Sequence, residues 1–340
     1  MVGEPNGSLS AADIAARRPA AAGRDSLYAR LASRPEVAGA ILLAVMAIFL
    51  SAATPTFLSQ ENVLWVLYSF AVIGLASIGM LLVLAAGDID LSIGAQIGLA
   101  AIIAGRIVFH HPETPDVLVF GASIASGMFF GLINGIIVTK FKFNAFIATL
   151  ATGYIGRGVI VIISESRNFT GFSDDLSFVG QGRILGIPNL VLILFVLAVF
   201  WTWVLRRTVF GKYLFAIGGN ASAARLSGVP VDRIRVLAFV LCGAMGALAG
   251  FLLACRLGVA EQTIGVGYEM EAVAGAVIGG VSIFGGIGSV LGVVIGSAAM
   301  AVIRNGLVLL QIGAMWQLLA TGSIIVAAVS IDGIRRKIRG

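Results

Sequence analysis

The chain has 340 residues, of which 59% are hydrophobic and only 12% charged, and its mean hydropathy is +1.01. That leaves too little polar surface to cover a soluble globule of this size, and the expected fold class is an all-α polytopic membrane protein. The net charge of +6 then reflects membrane topology rather than affinity for nucleic acid.

Residues 1–36, rich in Ala, Gly and Arg, predict a disordered cytoplasmic tail. The first apolar run after it is span-length, longer than the core of a cleaved signal. Runs able to cross about 30 Å of hydrocarbon fall near 37–54, 62–84, 92–109, 117–138, 143–163, 188–205, 236–257, 270–284, 288–303 and 315–331. These are ten spans in one transmembrane domain, 37–334, with the eighth and ninth short. A basic cytoplasmic tail is expected at 335–340.

Between spans two and three, Gly87-Asp88-Ile89-Asp90-Leu91-Ser92-Ile93-Gly94 puts two carboxylates in a turn of almost no polar length. A charge at the bilayer centre costs about 2.5–3.5 kcal/mol on insertion scales. Either this turn reaches the cytoplasmic surface, or the helix breaks there and the carboxylates are paired inside protein. Asp90 is also placed to cap the next helix, with Ser92 nearby. His110 and His111, the only histidines, sit in a loop beside Pro112 and are too few for a metal site. Gly127, Gly131 and Gly135 recur every fourth residue, as do Gly288, Gly292 and Gly296, so each series forms a groove for a neighbouring backbone. Arg157 lies well inside span five and must face protein or water, with Asp88, Asp90, Glu165 and Glu271 as available partners.

A long polar interruption, Arg206 to Arg235, separates spans six and seven and carries six of the basic residues. Within it Ala221 to Leu226 suits a short helix, with Asn220 as its cap and Gly228 and Pro230 as its stop. Such a helix is too short to stand alone in water, so it should be docked. Cys242 and Cys255 lie on one helix about 20 Å apart, too far to bridge. The glycine cluster Gly279–Gly288 disfavours continuous helix. It reads as a tight hairpin or a re-entrant break, which at membrane depth is tolerated only when buried or lining a watery cavity.

Ten spans starting inside place 17 of the 23 basic residues on the cytoplasmic side and both termini with them. A weak internal repeat pairs Asn134 and Thr152 in the first half with Asn305 and Thr321 in the second, five spans on. An odd displacement inverts one copy, as in many transporters. No phosphate-binding Gly-x-x-x-x-Gly-Lys-Ser/Thr occurs, because Arg206 and Tyr213 occupy the required positions around Gly211-Lys212. No metal-ligand or hydrolase motif is present either, so the chain offers no catalytic residues and no cofactor site of its own.

The run Gly211-Lys212-Tyr213-Leu214-Phe215-Ala216-Ile217-Gly218-Gly219-Asn220, with Ala223-Ala224-Arg225-Leu226-Ser227-Gly228-Val229, resembles the cytoplasmic signature of ribose/xylose-type sugar ABC importer permeases. The likeness continues through 87–94, Phe146-Ile147-Ala148-Thr149-Leu150 and Gly279–Gly286, in matching order over about 37–335. Asn144 departs from the family pattern, where a proline or small residue is expected. The resemblance implies a transport subunit in the bacterial inner membrane, working with cytoplasmic ATPase subunits that bind the ATP, a second permease copy and a periplasmic or lipid-anchored sugar-binding protein. It implies that Gly219, Asn220, Ala223, Ala224 and Gly228 contact the ATPase through a coupling helix in 206–235. Asp88, Asp90, Ser92, Asn134, Thr149, Thr152 and Arg157 are the expected pathway residues. A branched-chain amino-acid ABC permease and a stand-alone secondary transporter are the alternative readings.

Overall fold

The computed structural model describes residues 35–339, so the tail expected at 1–36 lies outside the described residues except for its last two positions. The first half consists of α1 (Pro35–Ala53), α2 (Gln60–Ala85), α3 (Ile93–His110), α4 (Asp116–Lys140) and α5 (Ala145–Ser164). A connecting region follows with β1 (Phe169–Thr170), α6 (Asp174–Gln181), β2 (Arg183–Ile184) and β3 (Ile187–Pro188). The second half comprises α7 (Asn189–Arg207), α8 (Val209–Gly219), α9 (Ala221–Leu226), α10 (Val231–Leu257), β4 (Val259–Ala260), α11 (Tyr268–Ile278), α12 (Val290–Leu309) and α13 (Ala314–Arg339). Among the described residues, eight helices, α1–α5, α7, α10 and α12, are long and apolar enough to cross a membrane. The protein is therefore an all-α polytopic membrane protein. The basic end expected as a separate tail at 335–340 is, through Arg339, the last part of α13.

Helix α2 is the hub. Every residue from Tyr68 to Ala85 is buried, and α7, α10, α11 and α12 all pack on it. A helix that is apolar all round and enclosed by protein is what such a composition produces inside a large bundle. By contrast α1 exposes Ile41, Val45, Ile48 and Phe49, and α7 exposes Phe195, Val196, Val199 and Trp203. In a membrane protein these apolar belts are covered by lipid tails.

The two glycine series pack as their spacing predicts, except that Gly288 precedes α12 and meets the side chains of Leu81 and Val281. A side chain at Gly127 or Gly131 would overlap the backbone carbonyls of Gly243 or Phe239, so α4 and α10 touch main chain to main chain. Gly292 and Gly296 press in the same way on Gly279 and Gly275, joining α12 to α11. Close approach of this kind replaces large side chains with extended backbone packing.

The eighth predicted span, 270–284, is not one helix. Only Tyr268–Ile278 is helical, and at 1.5 Å per residue α11 covers about 16 Å, half a crossing. The other half is the non-helical stretch 258–267, which runs along α3. A Cβ at Gly105 would strike Ala260, one at Gly98 would press on the Ile264 carbonyl, and one at Gly94 would press on the Gly265 carbonyl. Those glycines lie eleven residues apart along α3, about 16 Å, so strand-like chain and half-helix together make one crossing. Irregular backbone at that depth is enclosed by protein, as it has to be.

Candidate translocation and coupling site

The turn after α2 is built by Gly87, whose φ of +82° lets the chain reverse directly behind the C-cap Ala86. Asp90 then folds back on its own backbone: its Oδ1 accepts from the Ser92 amide at 2.9 Å and from the Ser92 hydroxyl at 2.5 Å. This local Asx turn sets up the start of α3. Oδ2 accepts from Gln96 Nε2 at 2.9 Å. Ser92 Oγ also accepts from Gln96 at 2.8 Å and from Asn134 Nδ2 at 2.7 Å, and so uses its one donor and both lone pairs. Thr152 donates to Asn134 Oδ1 at 2.7 Å, and Thr149 Oγ1 accepts the Leu91 amide at 3.1 Å. Five of the seven pathway candidates, Asp90, Ser92, Asn134, Thr149 and Thr152, therefore converge between α3, α4 and α5. They converge inside protein: Asp90, Ser92, Asn134 and Thr149 have no accessible surface. They hold one another through these hydrogen bonds. Gln96 belongs to the same cage and escapes a reading by motif, since it stands in an apolar run; its spacing of four from Ser92 on one helix face was the available signal.

Asp88 points the other way. It receives a two-pronged bond from Arg235 of α10, Nε to Oδ2 at 2.6 Å and Nη2 to Oδ1 at 2.5 Å. The fork geometry of guanidinium and carboxylate favours this arrangement. Both residues line a cavity of about 510 Å³ together with Phe143, Asn144, Phe146 and Met270. Of the seven pathway candidates Asp88 alone belongs to this lining. Asn144, the departure from the family pattern, caps α5 by accepting from the Phe146 amide at 3.0 Å. A second pocket, lined by Thr139, Lys142, Arg225 and Asp232 among others, shares Phe143 and Arg235 with the first, so these two side chains form the partition.

The helix read from the sequence at Ala221–Leu226 is α9, residue for residue. Asn220 Oδ1 accepts the Ala223 amide at 2.9 Å, and Gly228 at φ +83° ends the segment. Gly219, Asn220, Ala223 and Gly228 are exposed, whereas Ala224 is buried against the protein's own body. Leu226 stands 91% exposed at the tip of α9, an apolar projection absent from the expected set. Helix α8, which precedes it, was not foreseen; Thr208 caps it through the Gly211 amide, and Leu214 and Ile217 anchor it. Arg225 is bound to Asp232 at 2.7 and 3.2 Å, and that hydrogen-bonded carboxylate raises the Arg225 pKa above its ordinary value.

Where α8 ends, three turns meet with almost no side chain between them. The Gly286 amide donates to the Ala85 carbonyl at 3.1 Å. A Cβ at Gly285 would stand 2.8 Å from the α-carbons of both Gly218 and Gly87. The stretches 87–94, 211–228 and 279–288, far apart in the chain, are thus neighbours around one junction.

Arg157 has none of its four expected partners. Its Nη1 donates to the Ile264 carbonyl at 2.9 Å, in the non-helical half of the broken span. Asp88 is taken by Arg235, Glu271 by Arg304 at 2.9 Å, and Glu165 lies 3.8 Å from Arg106. Arg157 and Glu269 both crowd the Cβ position of Gly94, so a guanidinium and a carboxylate flank the break between strand-like chain and half-helix. The polar contacts of the internal repeat are not matched: Asn134 joins Thr152, but Asn305 exchanges hydrogen bonds with Asn62 at 2.6 and 3.0 Å.

Apolar belts, a discontinuous span with charged groups at its break, a cavity at one end of the bundle and a docked polar segment beside it define the class: a membrane permease. Comparison with known proteins narrows it. The family model described as branched-chain amino acid transport system / permease component matches residues 62–329, and the chain belongs to that family. It is 38% identical to the ribose import permease protein of Haemophilus influenzae, over 86% of this chain and 91% of that one. It is 33% identical to the D-allose transport system permease protein of Escherichia coli, over 87% and 91%, and 33% identical to the L-arabinose ABC transporter permease protein of Azospirillum brasilense, over 85% of each. No solved structure matches the chain.

Proposed function

We propose that this chain is the permease subunit of an ATP-driven importer for a monosaccharide or related polyol in the bacterial inner membrane. The observation that carries the reading is the similarity, over more than four fifths of the chain, to permeases named for ribose, allose and arabinose. All three are neutral aldoses, a shared chemistry of hydroxyl groups. The chain supplies the pathway and binds no cofactor; ATP is bound and hydrolysed by cytoplasmic ATPase subunits, and a periplasmic or lipid-anchored binding protein delivers the solute. Two copies of the chain form the membrane part of the importer. The end bearing α8 and α9 faces the cytoplasm, as do both termini, in keeping with the distribution of Lys and Arg. Exposed Gly219, Asn220, Ala223 and Gly228, with Leu226 projecting beside them, suit a shallow groove on the ATPase, because small residues let the partner's surface approach closely. Weak contacts in the cavity suit a pathway, which must release what it admits.

The family description itself favours a second substrate class, branched-chain amino acids. Proteoliposomes holding the chain with its ATPase and binding-protein partners separate the two. Uptake of radiolabelled ribose, allose or arabinose that requires ATP is the expected result. Uptake of leucine in its place moves the chain to the amino-acid class, and sugar uptake driven by an ion gradient without the ATPase makes it a secondary transporter.

A further inference from the structure

We propose that the Asp88–Arg235 pair is the latch that connects movement of the α8–α9 segment to the mouth of the cavity. This rests on the importer reading above and adds to it a named link between the driven segment and the pathway. Arg235 lies one turn into α10, directly behind α9. The first turn of α10 is held to α9 by the Arg225–Asp232 pair. Arg235 in turn holds Asp88, so two ion pairs in series run from the exposed helix to the α2–α3 turn. The second of them differs from the first in its surroundings: the Asp88 side chain is 6% exposed, while Arg225 and Asp232 are both at least half exposed. A charge pair shielded from water and salt keeps its geometry, whereas an exposed one is easily traded for solvent.

Location gives the pair its role. Asp88 and Arg235 are in the wall of the cavity, and Arg235 also forms part of the partition between that cavity and the second pocket. If α9 is displaced, α10 carries Arg235 with it, and Asp88 either follows or lets go. In the first case the α2–α3 turn shifts at the cavity mouth; in the second the carboxylate and guanidinium are exposed to the cavity separately, as two charged groups on an otherwise largely apolar wall. Both outcomes alter the mouth, and neither is available without the pair. The glycine junction of Gly87, Gly218 and Gly285 brings the ends of α2 and α8 together, and the ion pair is the charged connection from the same α2–α3 turn to α10.

The test uses the complete importer in proteoliposomes and reads sugar imported per ATP hydrolysed, together with assembly of the complex in detergent. Asp88→Asn and Arg235→Gln are each expected to assemble with the ATPase and to lower that ratio about tenfold, within the usual range of coupling between sites. Asp88→Glu, which keeps the charge, and the exchange of Asp88→Arg with Arg235→Asp are expected to recover part of it. An unchanged ratio in Asp88→Asn, loss of assembly in both single variants, or equal falls in uptake and hydrolysis would each overturn the latch. Failure of the unaltered importer to take up any sugar would overturn the importer reading instead, so the two failures are distinct.

Discussion

The two carboxylates of the α2–α3 turn stand two residues apart and live in different surroundings. Asp90 is enclosed by neutral donors from Ser92, Gln96 and Asn134, each of which has further bonds of its own. Asp88 has one charged partner and a cavity beside it. A carboxylate held by several short neutral hydrogen bonds inside protein is a fixed point, because moving it orphans every donor at once. One whose side-chain bonds go to a single guanidinium on a neighbouring helix, with a cavity beside it, is free to move together with that helix. The α2–α3 turn is thus anchored on its Asp90 side and movable on its Asp88 side.

The contrast can be broken at either end. The largest effect is expected for Asp90→Leu, which leaves the Ser92 amide and hydroxyl and one Gln96 proton without acceptors. At roughly 1–3 kcal/mol for each orphaned buried group, partly relieved by relaxation, the loss should be about 2–4 kcal/mol, read as a lower thermal midpoint of the purified protein in detergent. Asp88→Asn should cost less than about 2 kcal/mol by the same measurement, since Arg235 can turn toward the cavity. Equal losses for the two variants would remove the distinction between anchor and movable side. The smallest effect is expected for Asn220→Ala: removing the cap of a six-residue helix costs on the order of 1 kcal/mol locally. Faster amide exchange confined to α9, with the thermal midpoint unchanged, is the expected reading.

Much of this was legible in the sequence because it is written in short-range terms. Run length marks the spans, and Asn220 with Gly228 marks both ends of α9. The Asp90 cage was half legible: Asp90, Ser92, Asn134, Thr149 and Thr152 stood out as polar residues in apolar runs, but nothing local says that they meet one another. Arg235 was counted only as one more positive charge in a loop, since its partner is 147 residues away. Helix α8 was hidden because its stability comes from Leu214 and Ile217 docking on the bundle, which a polar-loop reading overlooks. The partner of Arg157 was out of reach for a similar reason. It is a backbone carbonyl, and that carbonyl is free to accept only because the chain around Ile264 is not helical.

That non-helical stretch also bears on how the molecule is made. Residues 258–267 leave main-chain groups outside any helix of their own, and such a segment has no stable position in lipid alone. The surface that accepts it, the Gly94, Gly98 and Gly105 side of α3, belongs to the half of the chain that leaves the ribosome first. The eighth crossing is therefore completed against a neighbour already in place, as a late fitting into a finished slot and not as an independent insertion.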